Sequence, residues 1–132
     1  MKKRKKIMMM ILIIILIGIL VLLILLGKNT SVETTPLLEI DEYKKIELEH
    51  ITQINVLKTT IGGQESILKD QSSDIKKTYN YLSSIKIGSE VTKSCDDNGT
   101  TYIITLDSGE EVIIEIECNW LVMNNKRYSI VK

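Results

Sequence analysis

The sequence predicts an α+β protein: an N-terminal transmembrane helix followed by a small, mostly antiparallel sheet packed on one amphipathic helix. Three observations predict it. Residues Ile7 to Leu26 carry no charge and, apart from Gly18, are all Ile, Leu, Met or Val. Ile75, Tyr79 and Leu82 recur at spacings of four and three, one stripe of a helix. From Tyr102 to Cys118 the chain alternates with period two, the mark of strands with one buried face.

At roughly 1.5 Å per residue, the uncharged run spans about 30 Å, the hydrocarbon thickness of a bilayer. It can cross lipid only as a helix, because each backbone N–H and C=O must find its partner within the segment. Five of the 17 basic residues, Lys2, Lys3, Arg4, Lys5 and Lys6, precede it. The positive-inside rule therefore predicts a cytoplasmic N-terminus and a C-terminal domain outside the cell membrane. A cleaved secretory signal shares the basic start. However, the apolar run exceeds the usual signal length, and the pairs Leu25/Gly27 and Asn29/Ser31 each lack the first small residue a peptidase needs. A retained single-pass signal-anchor is the expectation. No cysteine follows directly, which argues against a lipid anchor, and Gly18 has no small partner four residues away to suggest a packed helix pair. The basic tail could also attract anionic headgroups of the bilayer.

After the tail, 12 basic residues face 17 acidic ones, a net charge of −5. The neutral total thus hides a basic tail joined to an acidic domain. That balance argues against nucleic acid as a partner of the domain, since phosphate binding needs Lys and Arg concentrated on one face. The predicted organisation is a basic tail 1–6, a span 7–26, a linker 27–45 with one helical turn after Thr35-Pro36, and a single α+β domain 46–132.

Within that domain, Ile54 and Val56 alternate with Gln53 and Asn55 as a strand, Gly62-Gly63 breaks it, and Ile67-Leu68 returns as the second arm of a hairpin. The helix should run from about Ser73 to Ser84, with Ser72 or Ser73 as its cap and Asp74 favourable to its N-terminal dipole. A strand meander follows. Asn98-Gly99 suggests a two-residue turn that pairs Cys95 with Tyr102. Between the next two strands, a two-residue turn would mismatch the apolar faces. A three-residue loop Asp107-Ser108-Gly109, with Gly109 left-handed, sets Ile104 opposite Val112 and Tyr102 opposite Ile114. Asn124-Asn125 reads as a tight turn joining Leu121–Met123 to Lys126–Ile130.

The arrangement of Ile54, Val56, Gly62, Gly63, Ile67 and Asp70, then Ile75 and Leu82, the strand pair around Asp107 to Gly109 and the closing Asn124-Asn125-Lys126-Arg127-Tyr128 resembles small membrane-anchored or secreted domains of Gram-positive bacteria with uncharacterised function. The resemblance covers about residues 46–132. It implies a sheet packed on one helix, no established activity and no transferable functional residue.

Candidate sites are few. His50 is the only histidine and has Glu47 and Glu49 nearby. A catalytic or metal site would need further partners such as Asp96 and Asp97 to converge on it, and no C-x-x-C spacing marks zinc. An ordinary surface histidine is the simpler reading. Asp96-Asp97-Asn98-Gly99 has the oxygen atoms of a calcium loop but the wrong spacing, because Thr101 and Asp107 stand where a glycine and a glutamate would be required. The sequons Asn29-Thr30-Ser31 and Asn98-Gly99-Thr100 matter only in a eukaryotic host, and the Lys- and Ile-rich composition reads as bacterial. Cys95 and Cys118 would lie outside the membrane, where disulfides persist. The predicted meander puts one strand between them, about 9 to 10 Å, so two buried free thiols are expected ahead of a disulfide, which would need the sheet end to curl. Trp120 and Tyr128, close across the last hairpin, form a candidate aromatic interaction surface, set against plain core closure at the sheet edge.

No cofactor is expected. The functional expectation is a non-enzymatic extracytoplasmic interaction or binding module, with the lipid bilayer and another membrane or cell-surface protein as partners. The alternatives are a structural or assembly subunit acting through its transmembrane helix, and a small metal-binding or enzymatic domain.

Overall fold

The computed structural model describes residues 2–27, 33–93, 95 and 98–131. They fall into two units, Met1–Ser31 and Val32–Lys132. The first is a single helix α1, Lys2–Gly27, long and apolar enough to cross a membrane and with every described apolar side chain exposed. A helix that is apolar all round over Ile7 to Leu26 is suited to lipid.

The second unit is an α+β domain, as the sequence predicts. Its strands are β1 (Thr35–Pro36), β2 (Ile51–Thr60), β3 (Gly63–Lys69), β4 (Lys86–Val91), β5 (Gly99–Leu106), β6 (Glu111–Glu117), β7 (Trp120–Met123) and β8 (Lys126–Val131). They form one antiparallel sheet in the order β1-β4-β8-β7-β6-β5-β2-β3. Helix α2, Ser72–Ser84, lies against one face.

Alternation fixes that face. Ile54, Val56, Ile104, Leu106, Val112, Ile114 and Leu121 are buried, while their neighbours along each strand are exposed or half-buried. The β5–β6 loop has the expected register, with Ile104 opposite Val112, Tyr102 opposite Ile114 and Gly109 at φ +83°. At the last turn Asn124 and Asn125 both take positive φ, +51° and +61°, the conformation a two-residue hairpin loop requires and asparagine tolerates. Ile75 and Leu82 of α2 are buried and Tyr79 packs beside them, together with Thr78, whose hydroxyl donates to the Asp74 carbonyl and so enters the core satisfied. The helix cap differs from expectation. Gln71 occupies the cap without a side-chain bond, and both serines lie inside the first turn.

Two organisational expectations are corrected. Residues 33–45 are not a linker. Thr35–Pro36 pairs with β4, Leu37–Glu39 forms a 3-10 turn, and Leu37, Tyr43 and Ile46 are core residues, Leu37 with no exposure at all. The Leu37 N–H donates to the Ile85 carbonyl at 2.8 Å, pinning this segment to the end of α2. Single anchors held by turns leave no periodic stripe, which is why the sequence pattern misses them. The second correction concerns Asn98-Gly99. Both edges of β5 are already occupied, by β2 and β6, so no hairpin partner immediately before Asn98 can pair with it. The preceding strand, β4, instead lies beside β8.

The packing makes a graded prediction. Leu82→Ala and Leu37→Ala should each cost roughly 2 to 5 kcal/mol, because each leaves a cavity at a fully buried position. Lys77→Ala, at an exposed side chain 3.9 Å from Asp74, should change stability by no more than about 0.5 kcal/mol. Denaturant melts of the detergent-solubilised chain should separate the three. A Leu37 effect as small as that of Lys77 would return residues 33–45 to the status of a linker.

Candidate functional site

A group of ionisable side chains gathers where the chain enters β2. A 3-10 turn, Leu48–His50, ends at Ile51, and Ile51 pairs with Leu106 at the end of β5. That register sets His50 beside Asp107. The Asp107 N–H donates to the His50 carbonyl at 2.8 Å, and the Asp107 carboxylate lies 2.8 Å from His50 Nδ1. Glu47 and Glu49 approach the other ring nitrogen, Nε2, at 3.7 and 3.9 Å. Lys45 pairs with Glu110 of the same β5–β6 loop, a second clasp between these segments. Sequence reasoning paired His50 with Glu47 and Glu49 but missed Asp107, 57 positions away. Only the β2–β5 register could have found it.

Hydrogen bonding to Asp107, followed by the charges of Asp107, Glu49 and Glu47, holds the His50 pKa above its ordinary value. The ring is exposed to water, as are all three carboxylates. Glu47, Glu49 and His50 offer ligand atoms within 4.8 Å of one another, so the trio could reach one cation from a single side. The carboxylates also favour the imidazolium, which has no lone pair to give. In the described geometry the group is an ion-pair cluster first. Asp96 and Asp97, which the sequence offered as further partners, lie outside the described residues, and so does the calcium-loop spacing built on them.

The cysteines overturn the expectation of free thiols: Cys95 and Cys118 form a disulfide, with Cα atoms 6.3 Å apart. The predicted separation assumed both on regular strands with one strand between. Neither is. Cys95 belongs to the β4–β5 connection, and Cys118 opens the two-residue loop between β6 and β7 with φ +55°. That left-handed residue turns out of the strand alternation and brings its side chain within reach. A cleft of about 270 Å³ lies alongside, lined by Thr59, Asn98, Thr101, Glu117 and Arg127 among others, with Arg127 Nε 3.3 Å from Glu117.

The proposed aromatic pair also separates. Trp120 lies opposite Ser129, and Leu121 lies opposite Tyr128. Directly opposed residues share a face and adjacent ones alternate, so Trp120 and Tyr128 point to opposite faces. Tyr128 packs against the core with Leu121, whereas Trp120 stands half-exposed on the face α2 does not cover. On that face Leu68 and Ile113 are more than half exposed, and Leu57, Ile103 and Val122 are half-buried.

Comparison with protein-family models, with curated proteins and with solved structures finds no match to this chain. The likeness to small Gram-positive domains therefore rests on the sequence pattern alone, and the function must be argued from the chain's own residues.

A raised histidine pKa has a fixed sign. The stabilisation from His50–Asp107 is fully present below the unfolded value, about 6.5, and is lost as pH rises through the higher folded value. Proton NMR should give a His50 midpoint above 6.5, and Asp107→Asn should bring it down. The stability gap between wild type and Asp107→Asn should close in alkaline solution. A midpoint unmoved by the substitution would mean the contact does not persist in water.

Proposed function

We propose that this chain is a single-pass membrane protein with a cytoplasmic N-terminus, displaying a disulfide-bonded interaction module outside the membrane. The observation that carries the reading is the Cys95–Cys118 bond in a domain that follows an uncharged span. Disulfides persist in oxidising compartments and are rare where glutathione keeps thiols reduced, so the bond supports the same side of the membrane as the charge asymmetry does. The two arguments are independent, one from Lys2 to Lys6 and one from the far end of the domain. An interaction role, with another membrane or cell-surface protein as partner, draws support from a sheet that α2 covers on one face only. The alternative of an assembly subunit acting through α1 would show itself if partner capture followed the helix when Ile7 to Leu26 are replaced by an unrelated span.

One observation favours a second reading, a small metal-binding domain: the Glu47, Glu49 and His50 trio. Zinc added in stoichiometric amounts should then shift the His50 ring resonances, and Glu49→Gln should weaken the shift. Unmoved resonances at an excess of zinc would remove this reading.

For the topology, protease added to intact spheroplasts should digest the domain, and a maleimide should label Cys95 and Cys118 only after reduction. Survival of the domain until lysis would reverse the orientation. Reduction should also cost roughly 3 kcal/mol of stability, the usual effect of opening a loop of this size.

A further inference from the structure

The two edges of the sheet are built differently. One ends on β1, two residues long and containing Pro36, which has no N–H to offer, a common way of closing an edge. The other is β3, seven residues with no proline, in unbroken register with β2 and with no strand on its outer side among the described residues. Which of its backbone groups point outward follows from the turn. Thr60 and Gly63 flank a two-residue loop and form its hydrogen-bonded pair, so Glu65, Ile67 and Lys69 bond inward to β2. The β5–β6 loop gives the same answer from the other side. Leu106 bonds Glu110, so the even residues of β5 face β6, its odd ones face Asn55 and Leu57 of β2, and Ile54, Val56 and Lys58 are left for β3. Gln64, Ser66 and Leu68 therefore present free N–H and C=O groups at the edge.

We propose that this edge pairs with the β3 edge of a second copy of the chain, antiparallel and two-fold symmetric about Ile67. The charges select the partner and the register. Centred on Ile67, Ser66 meets Leu68 of the other copy in both hydrogen-bonded pairs, and Glu65 meets Lys69 twice, so each cation lies opposite an anion. The two neighbouring registers, centred on Ser66 or Leu68, set Ile67 against Glu65 or against Lys69. Only the Ile67 register pairs apolar with apolar and plus with minus. A self-complementary patch of this kind gives a closed two-fold dimer that joins two eight-stranded sheets. The inference names a partner for the interaction module proposed above, and its geometry does not depend on which side of the membrane the domain faces.

The test uses the full chain in detergent micelles and in native membranes. Ile67→Cys places one thiol on the two-fold axis, while Cys95 and Cys118 are already joined. Mild oxidation should yield a covalent dimer. Adding Glu65→Lys, or Lys69→Glu, should abolish it, and adding both together should restore it, because the swap rebuilds the opposite pairs. As a second measurement with Ile67 intact, Leu68→Pro removes an outward N–H that has no partner strand among the described residues. It should leave the melting temperature near wild type while weakening dimerisation about tenfold in sedimentation. The proposal is overturned if the cysteine variant folds and stays monomeric on oxidation. It is equally overturned if cross-linking persists through either single charge reversal, as it would for dimers formed by α1. Either result would leave the membrane-anchored reading intact, since that reading is decided by protease and maleimide access.

Discussion

Six side chains with no exposure, Leu37, Ile54, Leu82, Ile104, Ile114 and Leu121, hold the domain together, and the requirement that they share one dry space constrains everything around them. Four come from strands, one from α2 and one from the turn after β1. Because side chains alternate along a strand, a slip of one residue in any of the central pairings would carry Ile54, Ile104 or Ile114 to the opposite face. Burial of one face is thus also the specification of register. Leu37 explains why β1 exists. Two residues of strand contribute little by themselves, but they carry Leu37 onto the end of α2, where Ile85 receives its N–H.

Much of this was legible locally. The loop at Asp107 to Gly109 could be chosen over a shorter turn because only one loop length matched two alternating faces, and the left-handed Gly109 completes it. Asn124-Asn125 and the Ile75–Leu82 stripe are likewise signals written within ten residues of chain. What could not be read was non-local. The place of β4 beside β8, and of β2 and β6 on the two edges of β5, leaves no mark in these strands, and together they exclude the Asn98-Gly99 hairpin. Leu37, Tyr43 and Ile46 enter the core from turns, where period carries no information. The candidate site divides the same way. Glu47 and Glu49 were visible beside His50, whereas Asp107 arrives through the β2–β5 register, and the disulfide depends on a positive φ at Cys118 that a strand-based reading could not supply.

The disulfide and the ion cluster lie at opposite ends of the central strands, and each supports a connection the core cannot reach. At one end of β5, Asp107 and Glu110 fasten the β5–β6 loop to the segment 45–50 through charges in water, where such pairs contribute modestly. At the other, the covalent bond ties the β4–β5 connection to the β6–β7 loop, beside a cleft whose Arg127–Glu117 pair is only partly exposed. The β4–β5 connection joins strands that are separated in the sheet by β8, β7 and β6. A cross-link on a connection that crosses three strands restricts the unfolded ensemble as well as the folded loop.

Charge gives the β3 edge a character the domain as a whole lacks. With a net charge of −5 after the tail, two copies repel at long range, and that repulsion fades beyond a Debye length of about 8 Å at physiological salt. At the edge itself the pattern is different: Glu65 and Lys69 balance, and between them lie Ser66, Ile67 and Leu68 without charge. General repulsion discourages indiscriminate contact between acidic surfaces, including the uncovered face around Ile113, whose neighbours Glu111 and Glu115 flank it on the same strand. Local complementarity leaves one approach open. The same two facts that make the edge a liability in an isolated domain, its length and its unpaired backbone, thereby become selective once only one register satisfies the charges. Repulsion over most of the surface and matching at one strand is how a small domain with a thin core can expose apolar residues and an open edge while favouring a single mode of contact.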